Sequence, residues 1–116
     1  FTVKDYATVV SIGSTSTYDG SVNLRNNSYT TGNQTNYVVT NGDFTASDNS
    51  ELHLHDVSSL TARSGDVIFQ DNTLLFIDST SSMTVVDGNI VFQHLNNLIT
   101  EPGTAIQVNG GSLTFR

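Results

Sequence analysis

Residues 84–93 read TVVDGNIVFQ, an apolar–polar alternation broken by Asp-Gly and then resumed. The same outline returns as YVVTNGDFTAS at 37–47, LTARSGDVIFQ at 60–70 and IQVNGGSLTFR at 106–116, with STYDGSVNLRN earlier at 16–26. Its glycines, Gly20, Gly42, Gly65, Gly88 and Gly111, are 22, 23, 23 and 23 residues apart, and a fixed period of this size is the signature of a solenoid. Two and four positions after each glycine stand Val22 and Leu24, Phe44 and Ala46, Val67 and Phe69, Ile90 and Phe92, Leu113 and Phe115. Period-2 alternation puts each pair on the inner face of a short strand.

A second inward pair follows at Leu52 and Leu54, Leu75 and Ile77, and Leu98 with Thr100. A third precedes the next glycine at Tyr37 and Val39, Leu60 and Ala62, Met83 and Val85, Ile106 and Val108. With three strands per coil and no 3.6-residue periodicity, the expected fold is all-β, a single-stranded parallel β-helix of about five coils rising about 4.8 Å each. The expected organisation is one domain over 1–116, with 1–19 an irregular first coil and 20–116 regular repeats. In the opening coil Phe1, Val3, Val9 or Val10, and Ile12 supply the apolar inward side, and the inward positions near Thr15 and Thr17 are polar. One corner carries Asn26-Asn27, Asp48-Asn49 and Asp71-Asn72, and stacked Asn27, Asn49 and Asn72 suit a side-chain amide ladder.

Rung length, glycine-turn spacing, inward pairs and the Asn corner together resemble the right-handed parallel β-helix of bacterial secreted and surface proteins, over roughly residues 20–116. The resemblance is to autotransporter passengers and filamentous-haemagglutinin-type adhesin shafts. It implies an extracellular or cell-surface location and a structural role.

Composition narrows the function. Lys4, Arg25, Arg63 and Arg116 stand against eleven carboxylates for a net charge of −7, which argues against nucleic acid and anionic membrane as partners. No apolar run approaches the length of a membrane span. Without cysteine there is no disulfide framework and no thiolate metal site. The sequons at Asn26 and Asn33 read as chance in a chain this rich in Asn, Ser and Thr.

The coils are nearly equal in length and leave no long loop to wall a cleft, so the chain reads as non-catalytic. Asp43 lies below Asp66, and Asp48 below Asp71, one strand spacing apart. Ca²⁺ between such coils is chemically sensible, but solvated turn carboxylates are the preferred reading and no cofactor is expected. His53 and His55 flank Leu54 and point outward, with Asp56 beside them and Asp78 one coil above His55; a surface strand is again preferred to a metal site. His94 continues the Asp48 and Asp71 column, where a His–Asp contact explains it. An ice-binding face is not expected, because Thr-x-Thr occurs once, at Thr15–Thr17, and the outer threonines keep no column.

The surface is more telling. Outward positions turn apolar in the later coils, at Ile68, Leu74, Phe76, Val91 and Ile99, which marks a lateral interface. The sequence stops within a first strand, so Phe1, Val3, Leu113 and Phe115 form an axial interface, met by a second copy in a homopolymer or by flanking segments of a longer chain. The expected function is therefore an extracellular structural module of a surface adhesin or a self-assembling filament, associating end to end through open strand edges. The rival is a carbohydrate-binding or carbohydrate-cleaving β-helix, Ca²⁺-dependent in one form, using Asp43, Asp66, Asp48, Asp71 and His94 along one ridge.

Overall fold

The computed structural model describes residues 1–94 and 97–116. Each coil supplies one short strand to each of three sheets. The first coil gives β1 (Thr2–Val3), β2 (Thr8–Ile12) and β3 (Thr15–Asp19). The second gives β4 (Val22–Leu24), β5 (Tyr29–Asn33) and β6 (Asn36–Thr40), and the third β7 (Phe44–Ala46), β8 (Glu51–His55) and β9 (Ser59–Arg63). The fourth gives β10 (Val67–Gln70), β11 (Leu74–Ile77) and β12 (Ser82–Val86). The fifth gives β13 (Ile90–Gln93), β14 (Asn97–Thr100) and β15 (Ala105–Asn109), and β16 (Leu113–Phe115) begins a further turn.

Sheet I runs β1-β4-β7-β10-β13-β16, sheet II β2-β5-β8-β11-β14 and sheet III β3-β6-β9-β12-β15. Every pairing is parallel, so the fold is an all-β solenoid of about five coils with three strands per coil. The repeat sets the register: Val67 lies between Phe44 and Ile90, Leu75 between Leu52 and Leu98, and Met83 between Leu60 and Ile106. Inward side chains of the middle coils form the core, with Leu54, Leu60, Phe69, Ile77 and Met83 fully buried. Each such burial contributes about 1.5–3 kcal/mol, which no coil could gain alone.

The glycine corner owes its spacing to close packing. The residue before the glycine takes the left-handed conformation (Asn41 φ 55°, Ser64 62°, Asp87 57°), while a Cβ on Gly65 would strike the carbonyl oxygen of Gly42 in the coil below. Gly88 meets Gly65, and Gly111 meets Gly88, in the same way. At the Asn corner the paired residues are also left-handed, from φ 57° at Asp48 to 66° at Asn72. Among the described residues, the expected amide ladder is not what links them. The backbone nitrogens of Asn27, Asn49 and Asn72 donate instead to the carbonyls of Asp48, Asp71 and His94.

The opening coil differs from expectation in its facing. Ser16 and Tyr18 point inward, opposite Tyr37 and Val39, leaving Thr15 and Thr17 outside. Val9 is the inward valine of β2, and Val10 and Ile12 are 58% and 71% exposed. Pairing of Val9 with Thr30 fixes that parity, because a one-residue slip would turn the whole strand over.

Candidate functional site

The end coils are where core residues meet solvent. At the C-terminal end the rings of Phe69, Phe92 and Phe115 stack at 5.2 and 5.1 Å, nearly parallel at 11° and 10°. The ladder finishes in the open: Phe115 is 64% and Leu113 45% exposed, although both occupy inward columns. Leu98, Ile106 and Val108 beside them are half-buried against the core.

At the N-terminal end Phe1 turns across the bottom of the core and stacks on Tyr18, with centroids 4.9 Å apart. Its ammonium donates to the Ser21 carbonyl at 2.9 Å, and Val3 is 4% exposed. Above this pair lies an apolar hollow of about 20 Å³, bordered by Val9, Val22, Leu24, Tyr37, Phe44 and Thr30 among others. The hollow follows from small inward residues. Thr30 and Gly32 stand where the next coil has Leu52 and Leu54, and Tyr37 leans over Gly32 to fill part of the gap, its hydroxyl donating to the Thr31 carbonyl at 3.4 Å. Burial pushes the Tyr37 phenol above its ordinary range. The Thr30 hydroxyl is buried without a partner among the described residues, as is that of Ser28.

The lateral residues divide between two faces. Ile68 and Val91 are paired neighbours on sheet I, whereas Leu74, Phe76 and Ile99 stand on sheet II beyond the Asp71–Asn72 corner. Ile99 is 47% exposed. Phe76 packs on His53 and His55 at 5.8 and 5.0 Å, and Tyr29 lies 4.8 Å from His53. These contacts shield part of the ring that looked free in the sequence. On sheet III, Thr17, Thr61 and Thr84 do share an outer column, together with Val38, contrary to expectation.

The carboxylate stacks hold the corners together. Asp43 Oδ1 accepts from the Asp66 nitrogen at 2.9 Å, Asp66 Oδ1 from that of Asn89 at 2.8 Å, and Asn89 Oδ1 from that of Ser112 at 2.9 Å. Asp43 and Asp66 thus each bond the coil above. Asp71 contacts His94 Nδ1 at 2.9 Å, as the column suggests, and Asp48 accepts from Ser47 Oγ at 3.3 Å. The two stacks flank sheet I at opposite ends of its strands, so they do not share a ridge. Among the described residues no three His, Asp or Glu gather as a metal site. His53 Nε2 lies 3.1 Å from Glu51, and Asp78 is committed elsewhere.

Asp78 occupies the corner between sheets II and III, accepting from the Asp56 nitrogen at 2.7 Å and from the Thr80 nitrogen and hydroxyl at 3.1 and 3.0 Å. Desolvation pushes its pKa upward, but the hydrogen bonds from Asp56, Ser81 and Thr80 outweigh it and hold the carboxyl at about 2. Beside it runs a column that the sequence reading missed: Thr35, Ser58, Ser81 and Thr104, 23 residues apart. The Thr35 nitrogen donates to Ser58 Oγ and the Ser58 nitrogen to Ser81 Oγ, at 3.1 and 3.0 Å. The Ser58 and Thr104 hydroxyls donate to carbonyls of the coil below. The repeat period was the available signal, hidden because Ser and Thr are common throughout the chain.

No protein-family model matches the chain, and no curated protein or solved structure matches it.

Proposed function

We propose that the chain is a non-catalytic structural module, a stretch of β-solenoid shaft of the kind found in bacterial surface adhesins or extracellular filaments, which works by passing its coil stacking on to a neighbour at each end. The observation that carries this reading is the uniform parallel stack, in which each coil hands its register and its inward columns to the next in all three sheets. In the last described coil those columns, at Leu113 and Phe115, are 45% and 64% exposed. Open parallel edges and bare apolar columns are the elements from which end-to-end association is built. Heterologous contacts of this type extend rather than close.

The carbohydrate reading has less support. Its acids stand at two corners, and each has one oxygen engaged by a backbone nitrogen, serine or histidine. The outward rings of sheet II stack on one another, so they offer a sugar little free ring face. Sedimentation and negative-stain microscopy of the purified chain, beside a Leu113→Asp/Phe115→Asp variant, test the proposal. Elongated assemblies that the variant abolishes are expected; a 12.5 kDa monomer at every concentration would overturn end-to-end association.

A further inference from the structure

We propose that the outer face of sheet II carries a site for a divalent transition-metal ion, Cu²⁺ before Ni²⁺ or Zn²⁺, chelated by the imidazoles of His53 and His55. The site belongs to the third coil, with a paired strand on either side, and it does not depend on the end-to-end reading.

The strand β8 places the two rings. Its inward residues Leu52 and Leu54 are 1% and 0% exposed, so period-2 alternation turns Glu51, His53 and His55 to the outside. Pairing with β5 below and β11 above fixes the backbone, and a held strand positions ligands more precisely than a loop does. Residues two apart on a parallel strand are spaced about 6.6 Å, yet the ring centres of His53 and His55 lie at 5.8 Å, so the rings lean together. Metal–nitrogen bonds of about 2.1 Å set two coordinated rings about 5 Å apart, which leaves the pair about 1 Å to close.

The surroundings prepare the donors. Glu51 Oε1 lies 3.1 Å from His53 Nε2, the kind of carboxylate contact that orients a metal-ligating histidine. With the Nε2 proton given to Glu51, the His53 lone pair is on Nδ1. Neither that nitrogen nor either nitrogen of His55 has a hydrogen-bond partner among the described residues. Tyr29 and Phe76 flank His53 at 4.8 and 5.8 Å, Phe76 lies 5.0 Å from His55, and only 17% of the His53 side chain is exposed. Apolar walls of this kind limit solvent access and strengthen the metal–ligand interaction.

The donor set selects the ion. Asp78, one coil above His55, keeps its oxygens for Asp56 and Thr80, so the site is a chelating pair of nitrogens with its other positions open to water. Imidazole suits Cu²⁺, Ni²⁺ and Zn²⁺ rather than the oxygen-seeking Ca²⁺ and Mg²⁺, and Cu²⁺ heads that order. The net charge of −7 favours the approach of any cation. His94 supplies an internal control, a single imidazole with Nδ1 2.9 Å from Asp71 and 69% of its side chain exposed.

The test adds CuCl₂ in substoichiometric steps at about pH 7.5, where imidazole is neutral, and follows the histidine ring signals by NMR. Paramagnetic broadening of His53 and His55 together, well before His94, is expected. Calorimetric titration with CuCl₂ should then show His55→Gln binding about tenfold or more weakly, because a chelate becomes a single ligand, while His94→Gln binds as the unaltered chain does. Broadening of all three histidines at the same copper ratio would overturn the site and leave only adventitious surface coordination, and so would unchanged affinity in a folded His55→Gln. The NMR comparison uses the unaltered chain, so it decides the question even where a variant fails to fold.

Discussion

The two end coils leave core columns open to solvent and manage it differently. At the N-terminal end Phe1 folds over onto Tyr18, small residues line the inside, and Val3 is covered to 4% exposure. At the C-terminal end the phenylalanine ladder runs straight out to Phe115 at 64%. Inward position therefore does not by itself make a core residue; cover on both sides does, from a second coil at Phe69 and from the folded-over N-terminal segment at Val3. Phe69 and Phe115 share one column and one chemistry, and only Phe69, fully buried between its neighbours, gains the whole benefit of burial.

The sharpest break of this comparison is truncation in that column. Phe69→Ala is expected to lower unfolding free energy by about 3–5 kcal/mol, because it leaves a cavity walled by neighbouring coils. Phe115→Ala should cost the monomer less than about 1 kcal/mol by the same principle, since solvent already reaches the ring. Urea titrations under dilute conditions measure both, and equal losses would mean the terminal coil is covered in solution.

Glycines give the next effect. Gly65→Ala drives a Cβ into the Gly42 carbonyl, so overpacking is expected to cost about 1–3 kcal/mol or more. Gly13, with φ 63° and open space around its Cβ position, should lose only about 1 kcal/mol on the same change. Thermal melts of the two variants rank them, and a reversed order would show that the coils can spread at the glycine corner.

Asp78 ties the corner chemistry to pH. Its folded pKa of about 2 lies below the ordinary 3.8, so its stabilisation is present above about pH 4 and fades as pH falls through about 2. Asp78→Asn is expected to lower stability at about pH 5 by about 1 kcal/mol, a value held down by solvent screening, and to shrink the difference toward about pH 2. Urea midpoints at both pH values check it; a constant gap would assign the loss to packing.

Glycine spacing and inward pairs made the three sheets legible in sequence, because a 23-residue period repeats the same burial decision in coil after coil. The opening coil was misread where that support failed: Tyr18 and Ser16 break the apolar pattern, and only pairing with β6 reveals that Tyr18 faces in. The acid columns were visible as repulsive stacks, but not as acceptors for the coil above, since backbone nitrogens leave no mark in a sequence. For the candidate site, sequence identified Leu113 and Phe115 as end residues; it could not foresee that Phe1 would stack on Tyr18.

The smallest effect concerns two threonines that sequence alone cannot tell apart. Thr35 donates its hydroxyl to the Ser11 and Asn33 carbonyls, both at 3.0 Å, whereas Thr30 has a buried hydroxyl with no partner beside the N-terminal hollow. Valine keeps the shape of either side chain and removes only the hydroxyl. Thr35→Val should therefore cost about 1 kcal/mol, and Thr30→Val should stabilise by up to about 1 kcal/mol by removing an unpaired polar group. Opposite signs in paired denaturation curves are expected. A loss at Thr30 as well would place a hydrogen-bonding partner, such as water, in the hollow, so that the N-terminal coil is wetter than its apolar walls imply.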